Sequence, residues 1–121
     1  MKSFVILAAA FVLASPFAVR ADEAALARAH LAASDGEWRA ALGWFEIAAE
    51  DGDVGAKETV ASMYLNGETL FPGIERNVAL ARAWYYRAEA QGSVIAARML
   101  AQLEGAPVGA VAAVPDAQPA R

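Results

Sequence analysis

Residues Ala81 to Gly92 read Ala-Arg-Ala-Trp-Tyr-Tyr-Arg-Ala-Glu-Ala-Gln-Gly, and residues Ala41 to Gly52 read Ala-Leu-Gly-Trp-Phe-Glu-Ile-Ala-Ala-Glu-Asp-Gly. Ala81 answers Ala41, Trp84 answers Trp44, Tyr85 answers Phe45, Ala88 answers Ala48 and Gly92 answers Gly52, always 40 residues apart. Small and aromatic residues returning to the same slots at a fixed period are the mark of a helical repeat array, in which each unit buries its apolar face against the next. Within each segment the alanines and aromatics recur at helical spacing, so each is one amphipathic helix.

Working outward, glycine and capping residues divide the chain into five helices. Asp22 and Glu23 stand at the start of a helix over about Glu23 to Ala33, where the helix dipole favours negative charge. Ser34-Asp35-Gly36 is a turn signal. A second helix covers Glu37 to Asp51, and Gly52 suits the left-handed position after its end. Asp53 caps a third helix over about Val54 to Leu65, whose packing face is Ala56, Val60, Met63 and Tyr64. Asn66-Gly67 ends it. A long loop from Glu68 to Arg76 carries Leu70, Phe71 and Pro72, expected either to fold back over the helix pair or to offer apolar contact. The fourth helix spans about Asn77 to Ala90. Ser93 caps a fifth, with Ile95, Ala96, Met99, Leu100 and Leu103 as its apolar side.

The two ends differ in kind from this middle. Lys2, the apolar run Phe4 to Ala14, Ser15-Pro16 and then Val19-Arg20-Ala21 have the layout of a secretory signal peptide cleaved after Ala21. The run is shorter than the roughly 20 residues that span a bilayer. Residues 1–21 are therefore expected to direct export, residues 22–104 to form the repeat domain, and residues 105–121, rich in Ala, Val, Pro and Gly, to form a flexible tail. The expected location is periplasmic or secreted, with membrane contact only through the signal peptide during export.

Composition narrows the chemistry. A formal charge of −4 over 121 residues argues against nucleic acid, which needs clustered Lys and Arg. The absence of cysteine removes disulfides, thiol catalysis and thiolate metal sites, and one histidine, His30, cannot build a multi-histidine zinc site. His30 with Ser34 and Asp35 makes a weak triad at a helix end, and an exposed residue is the better reading. Glu50, Asp51 and Asp53 flank Gly52 without the spacing of a calcium loop. No catalytic residue, metal or cofactor is expected. Trp84-Tyr85-Tyr86 suggests sugar stacking, yet helical spacing puts Trp84 in the core and leaves only Tyr86 for such a contact.

In this arrangement the chain resembles the Sel-1-like repeat, a relative of the tetratricopeptide repeat. Ala56, Val60, Ala61, Tyr64 and Gly67 fall on the first helix of the family pattern, Gly73, Ile74 and Asn77 on its loop, and Ala81, Trp84, Tyr85, Ala88 and Gly92 on its second helix. Glu89 replaces the second alanine of the pattern, and Thr69 to Pro72 is an insertion. The resemblance covers about Ala24 to Glu104, as one full repeat and two partial ones. It implies an all-α fold: a short right-handed α-solenoid of antiparallel helix hairpins, about two and a half repeats and five helices. Ala41, Trp44, Phe45, Ala48, Tyr64, Ala81, Trp84, Tyr85 and Ala88 would pack it.

The resemblance also implies a non-catalytic adaptor or regulator of the bacterial cell envelope that binds a protein partner on its concave face. Leu26, His30, Glu58, Ser62, Asn66, Arg98 and Gln102 are the expected contact residues, forming a mostly polar groove with both signs of charge. A carbohydrate-binding module in exopolysaccharide or cell-wall handling is the alternative, and an envelope enzyme a more distant one. The outer side of the fifth helix, left bare by the half repeat, is a candidate homodimer surface.

Overall fold

A computed structural model describes residues 20–105; the expected export signal (save Arg20 and Ala21) and the expected tail (save Gly105) lie outside the described residues. Among the described residues five α-helices follow one another: α1 Ala21–Ser34, α2 Trp38–Glu50, α3 Val54–Asn66, α4 Val78–Ala90 and α5 Val94–Leu103. A single 3₁₀ turn, Gly67–Thr69, opens the long loop. The protein is all-helical, with no strand among the described residues. Each helix packs chiefly on the next in sequence, α1 on α2, α2 on α3, α3 on α4 and α4 on α5. No described helix is long and apolar enough to cross a membrane.

Alanine makes this packing close. Ala25, Ala29, Ala41, Ala48, Ala49, Ala56, Ala61, Ala81, Ala88 and Ala96 are all buried at helix faces, where a methyl group lets neighbouring backbones approach. Phe45, Val60, Met63, Ile74, Trp84, Tyr85 and Leu100 fill the remaining volume. Each large side chain taken fully from water contributes about 1.5–3 kcal/mol, so these few residues carry most of the apolar driving force.

The 40-residue period is visible bond by bond. The Asp53 N–H donates to the Ala48 carbonyl at 3.1 Å, and the Ser93 N–H to the Ala88 carbonyl at 3.1 Å. The Asp53 carboxylate accepts from the Ala56 N–H at 2.6 Å, and the Ser93 hydroxyl from the Ala96 N–H at 2.9 Å. Both turns rely on a glycine at positive φ, 110° at Gly52 and 93° at Gly92, a region that costs an L-residue energy. The turns are also tied to each other. The Gln91 side chain donates to the Gly52 carbonyl at 3.0 Å and accepts from the Lys57 ammonium.

One further period was not visible in the residue types. The Tyr64 hydroxyl of α3 donates to Glu46 of α2 at 2.6 Å, and the Tyr86 hydroxyl of α4 donates to Glu104, the residue after α5, at 2.6 Å. Positions 46 and 64 become 86 and 104 on adding 40, with donor and acceptor exchanged.

The long loop splits the two expectations set for it. Phe71 is half-buried and its ring edge meets Trp38 at 5.1 Å, whereas Leu70 stays 58 % exposed. Gly67 closes α3 at φ 55°, and a Cβ there would lie 2.7 Å from the Arg76 backbone. The apolar side of α5 also differs from its sequence reading. Leu100 is buried, but Ile95 is 57 % exposed. Adjacent helical residues are rotated by about 100°, so Ile95 turns away while Ala96 enters the core.

Candidate partner-binding face

Glu58, Ser62 and Asn66 occupy successive turns of α3, opposite the buried face formed by Ala56, Val60 and Met63. All three are half-buried. The Asn66 amide donates to the Ser62 carbonyl at 2.8 Å and to the Ser62 hydroxyl at 3.2 Å. A Glu58 carboxylate oxygen accepts from the Ser93 hydroxyl, the same hydroxyl that caps α5. Glu58 therefore joins α3 to the start of α5. Ser93 spends its proton on Glu58 and a lone pair on the Ala96 N–H, so the pair is satisfied on both sides.

Tyr85 of α4 completes the cluster from below. Its phenol is pushed above the ordinary tyrosine range first by burial and then by the Glu58 charge, while a hydrogen bond with Ser62 opposes that rise. The result is a half-buried polar row of Glu58, Ser62 and Asn66, tied by hydrogen bonds within α3 and to Ser93, with the buried Tyr85 beside it.

The other expected contact residues lie apart from this cluster. Leu26 on α1 is half-buried against the core, and His30 is exposed with its ring edge on Phe45 at 5.2 Å. Arg98 and Gln102 are exposed on α5, and neither side chain makes a hydrogen bond to another described residue. Of the expected packing residues, Ala41, Phe45, Ala48, Ala81, Trp84, Tyr85 and Ala88 are buried. Trp44 and Tyr64 are half-buried, and Arg28 lies 4.7 Å over the Trp44 ring. Trp84 has Arg87 at 4.3 Å over its ring.

Arg87 also makes a two-pronged ion pair with Glu50 of α2, both bonds at 2.9 Å. Its guanidinium holds the Glu50 carboxyl below the usual range, and Glu50 in turn raises Arg87 further. The pair is exposed and spans the two helices that carry the repeated Trp-aromatic motif.

Two adjoining clefts escaped the sequence reading. One of about 400 Å³ is lined by Glu37, Trp38, Arg39, Ala40, Pro72 and Gly73. The other, about 210 Å³, includes Arg28, Leu31, Asp35 and Trp44 and shares Glu37 and Ala40 with the first. The Arg39 guanidinium donates to the Gly73 carbonyl at 2.9 Å, which pins the loop to α2 at the first cleft. The apolar loop residues Leu70, Phe71 and Pro72 were the sequence signal nearest to the first cleft, which Pro72 lines. Among the described residues, no three His, Asp or Glu side chains converge as metal ligands.

Comparison with family models, with curated proteins and with solved structures finds no match to this chain.

Proposed function

We propose that the chain is a Sel-1-like module of about two and a half repeats, a right-handed solenoid of antiparallel hairpins that binds a protein partner and performs no chemistry. In this reading it is exported and acts as an adaptor or regulator in the bacterial cell envelope. The recurrence of the same capping and turn hydrogen bonds 40 residues apart supports a stacked array. The Arg87–Glu50 pair and the Gln91–Gly52 bond, each linking equivalent parts of successive units, support it further. The sequence resemblance supplies the handedness and the concave face.

The observation that carries the binding reading is the polar patch on α3. Glu58, Ser62 and Asn66 are half-buried, prearranged by the Ser93 and Asn66 hydrogen bonds, and still open to a partner's backbone or side chains. Prearranged polar groups lower the ordering cost of binding. The test is retention of an envelope protein by the purified chain. Ser62→Arg should abolish retention with the helical content unchanged, and Glu89→Arg, exposed on α4, should leave it intact. Equal retention by both variants would overturn the assignment.

A further inference from the structure

We draw no further inference here: the strongest candidate, the cleft of about 400 Å³ between the first turn of α2 and the long loop, lined by Trp38, Arg39, Pro72 and Gly73, is an open groove at a helix N-terminus, and nothing in the structure shows what fills it.

Discussion

The α2–α3 and α4–α5 junctions are built on one plan with different materials. Each turns through a glycine at positive φ, returns a backbone N–H to an alanine carbonyl five residues back, and caps the next helix with an oxygen of residue 53 or 93. Each is braced by a tyrosine–glutamate hydrogen bond between positions 18 residues apart, but with the two residue types exchanged. What the plan requires at those positions is one donor and one acceptor; either helix can supply either. The exchange has electrostatic consequences. Tyr64 is half-buried and its phenol is pushed up to about 12, first by burial and then by Glu46. Tyr86 is raised chiefly by its bond to Glu104 in an exposed setting.

The largest difference between the junctions lies where each following helix ends. Gly67→Ala should destabilise the fold by more than about 2 kcal/mol, because the added Cβ meets the Arg76 backbone in a conformation that already favours glycine. Gly105→Ala, with positive φ but no described atom against the added Cβ, should cost about 1 kcal/mol. Urea midpoints for the two variants test the contrast, and equal shifts would break it.

The caps come next. Asp53→Ser keeps an oxygen for the Ala56 N–H and should change stability by less than about 0.5 kcal/mol. Ser93→Asp also keeps a capping oxygen but puts a carboxylate against Glu58, and should cost about 1–2 kcal/mol. Thermal unfolding at neutral pH would reveal the asymmetry.

Smaller effects are expected from the braces themselves. Tyr64→Phe should cost about 1 kcal/mol, and Tyr86→Phe, at an exposed pair, distinctly less. Chemical denaturation of both variants decides whether the exchanged pairs differ in strength.

Alkaline titration has no effect at neutral pH and so ranks last. All three tyrosines have phenols raised above their ordinary value of 10. A folded-state pKa above the unfolded one contributes stability that is full below the unfolded value and is lost as pH rises through the folded one. Stability should therefore hold to about pH 10 and fall from there towards 12, with phenolate absorbance appearing later than in the unfolded chain. Tyr64→Phe should flatten that fall, whereas an unchanged profile would show that Tyr64 does not contribute to it.

Much of the architecture was legible in the residues because it depends on local rules. The echo of Ala41–Gly52 in Ala81–Gly92, the glycines at 52 and 92, and the caps at Asp53 and Ser93 each act within a few residues of chain, where backbone geometry leaves few choices. The polar patch was legible only in part. The repeat resemblance put Glu58 and Ser62 in equivalent inward positions with Asn66 one turn beyond, but Tyr85 looked like packing and Ser93 like a cap alone.

Sequence by itself determined the helices, their order and the period that relates them, since propensity, capping and turn conformation are local. Tertiary structure alone decided that Ser93 also holds Glu58, that Phe71 rests on Trp38, that tyrosine and glutamate trade places between junctions, and that Ile95 faces outward. Each of these depends on which surfaces the helices turn toward one another. That is settled by burying the alanine faces together, a balance over the whole core that no short stretch of the chain contains.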